Sequence, residues 1–162
     1  MIKKIILFAV LIACMASIFF FSSQNAESSG NLSHGVTYYI SRIFVPDFSE
    51  MSEDKQLEII QHLHHYIRKA AHFSIYFILG VAAFLNSKEY IGKKGTAAIV
   101  SSLFCLAYAA SDEYHQTFTS GRCGSPTDVF IDFSGALTGT FFIICLIKIF
   151  QKIKSKTKKP VN

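Results

Sequence analysis

The sequence predicts an all-α protein: a four-helix transmembrane bundle with an additional amphipathic helix on its outer surface. Three observations carry that prediction. Hydrophobic residues make up 51% of the 162, with a mean hydropathy of +0.35, more than a soluble domain usually holds. The apolar residues gather into four runs near the roughly 20 residues that a bilayer core demands. Lysines cluster at alternate ends of those runs, as membrane flanks do. The length fits one domain, 1–162, and no solenoid repeat or low-complexity linker divides it.

The first run, residues 5–21, carries no charge. Met1-Ile2-Lys3-Lys4 before it resembles the start of a secretory leader, and Leu11-Ile12-Ala13-Cys14 resembles a lipidation box. A leader, however, has an apolar region of about 7–15 residues followed by small or polar ones. Here the apolar run continues past Cys14 to Phe21. An uncleaved anchor is therefore expected, with a lipoprotein and a cleaved leader as its rivals.

The polar stretch that follows opens Ser22-Ser23-Gln24-Asn25 and includes Ser28, Ser29, Gly30 and Asn31, a composition that favours turns over packed structure. Pro46-Asp47 then leads to Ser52-Glu53, where a helix can start. From Lys55 onward Leu57, Ile60, Leu63 and Ile67 recur at helical spacing, opposite Glu58, Gln61, His65 and Arg68. This is the predicted amphipathic helix, lying on the interface or against another loop. His62, His64 and His65 read as its interfacial decoration.

The second span, 71–86, is short unless it continues N-terminally through 65–69. The third is 96–111 and the fourth 129–150, which carries one acid, Asp132. Helices rather than strands are expected, because an isolated strand leaves its backbone polar groups unpaired in hydrocarbon. Residues 151–162 form a basic tail. Six of the sixteen basic residues fall at 148–159, a topology signal touching anionic lipid. No nucleic-acid partner is expected from the net charge of +5. Three of the four cysteines, Cys14, Cys105 and Cys145, lie in apolar runs and Cys123 in a polar loop, so no structural disulfide is expected.

Positive flanks tend to stay cytoplasmic. Lys3 and Lys4, then Lys88, Lys93 and Lys94, then the C-terminal lysines all fall on one side. A multi-pass cell-membrane protein with both termini cytoplasmic follows, although Arg42, Lys55, Arg68 and Lys69 sit on the outer side.

Polar residues gather at that outer side. An aspartate at a helix centre costs about 2.5–3.5 kcal/mol on insertion, which the apolar residues of the fourth span tolerate but do not explain. Asp128 and Asp132 are four apart, and Gly135 and Gly139 continue the same face as points where another helix can approach. Arg68, His72 and Tyr76 form a stripe leading into the second span, with Lys69 beside it. At the end of the third, Asp112, His115 and Gln116 share a face with Glu113 adjacent, and the loop beyond holds Gly121, Arg122 and Gly124. Three helices thus offer material for one pocket.

These segments carry a resemblance. Arg68-Lys69-Ala70-Ala71-His72-Phe73 with Tyr76, Ser111-Asp112-Glu113-Tyr114-His115-Gln116 with Phe118, and Gly121-Arg122-Cys123-Gly124-Ser125 with Asp128 and Asp132 resemble the signature segments of VanZ-like proteins. Ser22-Ser23-Gln24 resembles that family's usual opening. The likeness covers nearly the whole chain in order, departing from it at Cys123 and Pro126. It implies a four-span membrane family linked to teicoplanin resistance, with no assigned reaction.

Each polar group has a plain structural role beside a chemical one. Asp128 and Asp132 can pair with Arg68, Lys69 or Arg122. His72 and His115 can be interface histidines, or acid and base with Asp112 as a partner. Arg68, Lys69, Gln116 and Arg122 can hold an anionic head group. No cofactor is expected; a divalent metal is chemically possible, although no tight ligand motif is present. Two functions follow as expectations. The first is a protein binding a membrane lipid or lipid-linked envelope precursor at the outer face, lowering lipoglycopeptide access. The alternative is an enzyme acting on a phosphorylated or glycosylated lipid. A transporter is less favoured, since inverted-repeat signals are lacking.

Overall fold

The structure, a computed structural model, describes residues 1–23, 26–119 and 124–157, with only the backbone of 26–33 and 156–157. Its helices are α1 (Ile2–Ser22), α2 (Ala26–Phe44), α3 (Glu53–Ile91), α4 (Lys94–Gln116) and α5 (Pro126–Thr157), with a short 3-10 turn at Phe48–Glu50 between α2 and α3. The all-α prediction holds, and α1, α3, α4 and α5 are each long and apolar enough to cross a membrane. Large apolar side chains such as Ile5, Phe20, Ile78, Leu103 and Phe141 stand on the outside of the bundle. In water so much exposed apolar surface would drive aggregation, whereas against lipid it costs nothing.

The helices run alternately. At one end Lys3 pairs with Glu89 at 2.6 Å, Lys4 stands over the Tyr90 ring, and Lys94 donates to Gln151. The start of α1, the end of α3, the start of α4 and the distal part of α5 therefore meet at this lysine-rich end. Gly92, at φ +74, closes α3 in the left-handed region that glycine occupies without a Cβ penalty, and α4 begins two residues later. α1 is tied into the bundle by backbone acceptors. Asn86 donates to the Leu7 carbonyl and Tyr108 to that of Met15, each at 2.7 Å.

The closest packing is between α3 and α5, which run parallel. A Cβ on Gly135 would fall on the Phe73 carbonyl, one on Gly139 on the Phe77 carbonyl, and one on Gly80 on the Ala136 carbonyl. The glycine face expected on the fourth span is thus the seam against the second. Thr140 adds a hydrogen bond to the Gly80 carbonyl at 3.3 Å. Small residues let the backbones approach until dispersion contacts hold them, the usual source of association between helices in lipid.

Two elements differ from the sequence expectation. The segment after α1, expected to favour turns, is largely helical as α2. Its Thr37 and Ser41, one turn apart, have no exposed surface, and α2 lies along the N-terminal half of α3, with His34 and His64 rings 6.4 Å apart. Packing overrides the weak local preference of serine, glycine and asparagine. The amphipathic segment is also no separate helix. It is the first half of α3, a helix of 39 residues, about 58 Å at 1.5 Å per residue against roughly 30 Å of hydrocarbon. The second span therefore continues through 65–69, and α2 with the start of α3 forms a hairpin at the end remote from the lysines.

Candidate functional site

Polar side chains converge where the middle of α3, the end of α4 and the start of α5 meet. Arg68, Lys69, His72, Glu113, Gln116, Asp128 and Asp132, with Ile131, line one narrow pocket. Each helix contributes by its own period. On α3, residues 68 and 72 lie one turn apart; on α5, 128 and 132 do the same.

The mouth is held by an ion pair between Lys69 Nζ and Asp128 Oδ1 at 2.7 Å, each side chain about a quarter exposed. Asp128 sits in the first turn of α5, where the helix dipole favours an anion. Deeper in, Asp132 has no exposed surface. His72 Nδ1 lies 3.5 Å from its Oδ1, and neither carboxylate oxygen accepts a hydrogen bond from the described residues.

α4 supplies a second acidic layer. Gln116 Nε2 donates to Glu113 Oε1 at 3.1 Å and lies 3.3 Å from Asp112 Oδ2, so one amide bridges two neighbouring carboxylates, both buried. The other oxygen of Glu113 accepts the Ser125 N–H at 2.9 Å. That bond fastens the end of α4 to the start of α5. Pro126 opens α5 at a position where its missing N–H costs nothing, and Gly124 lets the chain pass directly over the Glu113 carbonyl. Sequence reading gave Pro126 no role and missed this clamp, although Ser-Pro before an apolar run is a recognisable helix start.

The remaining candidates are not among the residues that line it. Asp112 stands behind Gln116 and does not line the pocket. Tyr76 is fully buried, its ring 6.4 Å from that of Tyr108. His115 faces away, its ring 4.6 Å from Phe19 of α1, so it belongs to the α1–α4 contact. Gly121, Arg122 and Cys123 lie outside the described residues. Among the described residues no group of three or more His, Cys, Asp or Glu side chains is arranged to hold a metal ion.

The arrangement can do two things chemically. A partly buried imidazole beside a carboxylate can exchange a proton at Nδ1, and bases at the mouth over acids within can orient a charged group. Beside the pocket, an apolar groove of about 300 Å³ opens between α4 and α5, and Glu113 lines both.

A family model described as VanZ/LLP1 matches residues 7–150. No curated protein and no solved structure matches the chain. The match reaches into all four of the helices long and apolar enough to cross a membrane, and the chain belongs to the VanZ/LLP1 family.

Proposed function

We propose that this VanZ/LLP1 family member binds the head group of a cell-envelope amphiphile in the pocket between α3, α4 and α5, at the outer face of the cell membrane. The observation that carries the reading is Asp132, a buried carboxylate whose oxygens accept no hydrogen bond from the described residues. Buried polar groups are rarely left so unless a ligand or water serves them. Exposed aromatic side chains at the same level, Phe19, Tyr66, Tyr114, Phe118 and Phe130, support a position at the membrane interface, where such rings concentrate. The lysine-rich opposite end supports cytoplasmic termini by the positive-inside rule.

In this reading, occupation of the amphiphile lowers the access of teicoplanin-type lipoglycopeptides to the surface. Protein purified in mild detergent should carry a bound envelope amphiphile by native mass spectrometry, and Asp132→Asn should lose it. Wild-type protein without any such species after incubation with envelope lipid overturns the binding reading. For the antibiotic link, deletion should raise surface binding of a labelled lipoglycopeptide; unchanged binding and susceptibility remove that part.

A second reading is favoured by one contact, the approach of His72 to Asp132 at 3.5 Å. It is an enzyme acting on a phosphorylated or glycosylated lipid, with His72 as acid or base, Asp132 orienting it and Arg68 holding the anion. Incubation of purified protein with envelope lipids then changes their masses, and His72→Ala abolishes the change. Unchanged lipid masses with the wild-type protein rule this reading out.

A further inference from the structure

The pocket holds more negative charge than its described bases answer. Lys69 is committed to Asp128. That leaves Arg68 facing Glu113 and Asp132, with Asp112 behind Gln116. With all three acids ionised, even a protonated His72 leaves two cations against three anions. Glu113 is held by Gln116 and the Ser125 N–H, whereas among the described residues neither oxygen of Asp132 accepts a hydrogen bond, and His72 Nδ1 stands off at 3.5 Å. An ionised carboxylate with no exposed surface needs one.

Size narrows what the donor can be. The free volume in the pocket is about 10 Å³, room for one group the size of a water molecule. A primary ammonium is of that size, carries the compensating charge and brings three N–H donors. A phosphate or a sugar ring is far larger, and a trimethylammonium is larger and has no N–H.

The α4–α5 groove indicates what carries the ammonium. Its walls include Ala110, Val129 and the exposed rings of Tyr114 and Phe130, and its inner edge is Glu113, which also lines the pocket. A hydrocarbon chain in this groove would lie along the apolar outside of the bundle with its polar end directed past Glu113.

We infer that the pocket takes the primary ammonium of an amine-bearing membrane lipid, with one of its chains in the α4–α5 groove. The inference rests on the amphiphile-binding reading above and names the class of head group. It makes Asp132 and Glu113 determinants of specificity and leaves the lipid's own anion outside the pocket.

The test titrates detergent-purified full-length protein with labelled phosphatidylethanolamine, phosphatidylcholine and phosphatidylglycerol of identical chains, and with ethanolamine alone. Phosphatidylethanolamine binds at least about tenfold tighter than the other two lipids, a difference of about 1.4 kcal/mol. Asp132→Asn and Glu113→Gln, both near-isosteric, each erase that preference. Ala110→Trp, which fills the groove, weakens phosphatidylethanolamine binding and leaves that of ethanolamine unchanged. Equal binding of phosphatidylglycerol, lost together with that of phosphatidylethanolamine in Asp132→Asn, overturns the ammonium assignment while the amphiphile reading survives. Ethanolamine binding as tightly as the lipid overturns the chain assignment. A wild-type protein that binds no lipid removes both this inference and the reading beneath it.

Discussion

The Nδ1 of His72 stands 3.5 Å from Oδ1 of Asp132, joining a partly buried imidazole on α3 to a carboxylate on α5 that has no exposed surface. The contact bridges the two most intimately packed helices at the point where their seam opens into the pocket. Burial of a carboxylate without full hydrogen bonding works against stability.

Asp132→Asn keeps the shape and removes the charge, so it should leave thermal stability unchanged or raise it by about 1–3 kcal/mol while abolishing amphiphile binding. Thermal unfolding in detergent, paired with a binding assay on the same sample, checks both halves. A marked fall in stability would identify Asp132 as a structural group instead.

The α3–α5 seam predicts a sharp positional effect. In Gly139→Leu the new side chain would meet the Phe77 carbonyl, a backbone atom with no rotamer to adopt. Overpacking of this kind costs about 1–3 kcal/mol or more. Gly95→Ala, where nothing lies within 4 Å, should be neutral or stabilising by up to about 1 kcal/mol, since alanine is the better helix former. Equal effects at the two sites would mean that the seam is looser than described.

Hydropathy made the four spans legible because lipid imposes a length and a composition that few other environments do. The glycine face of α5 was legible for a related reason: small residues spaced by four have a direct meaning in a membrane helix. The fate of His115 was not. At 100° per residue, Asp112, Gln116 and Glu113 span 0°, 40° and 100°, while His115 falls at −60°. The face shared by Asp112, His115 and Gln116 was real, but its centre lay on the Glu113 side, and the other edge turned to Phe19 of α1. Only the position of α1 decides that, and no local pattern encodes it. α2 was hidden likewise, since its helicity depends on burying Thr37 and Ser41 against α3.

Orientation makes a prediction that needs no knowledge of the ligand. With the native cysteines replaced, Ser52→Cys, exposed at the start of α3, should react with a membrane-impermeant thiol reagent applied to intact cells. Ser155→Cys, exposed near the end of α5, should react only after permeabilisation. The opposite labelling pattern would invert the topology and move the pocket to the cytoplasmic face.

The Lys69–Asp128 pair tests how the mouth is held. Both side chains are about a quarter exposed, so the Coulombic part of the contact is modest, about 0.5–1 kcal/mol. The two residues are not equivalent, however. Asp128 lies in the first turn of α5, where an anion gains a further 0.3–1 kcal/mol or so from the helix dipole, whereas Lys69 lies well inside α3. Asp128→Ala should therefore destabilise more than Lys69→Ala, and Asp128→Lys more than either. The exchanged double variant, Lys69→Asp with Asp128→Lys, restores the pair but places a cation at the start of α5. Its stability should fall between the wild type and Asp128→Lys. Raising the salt concentration should shrink the coupling measured in a double-mutant cycle. Thermal unfolding of the set checks the order; equal costs for the two alanine variants would show that the pair acts without help from the helix end.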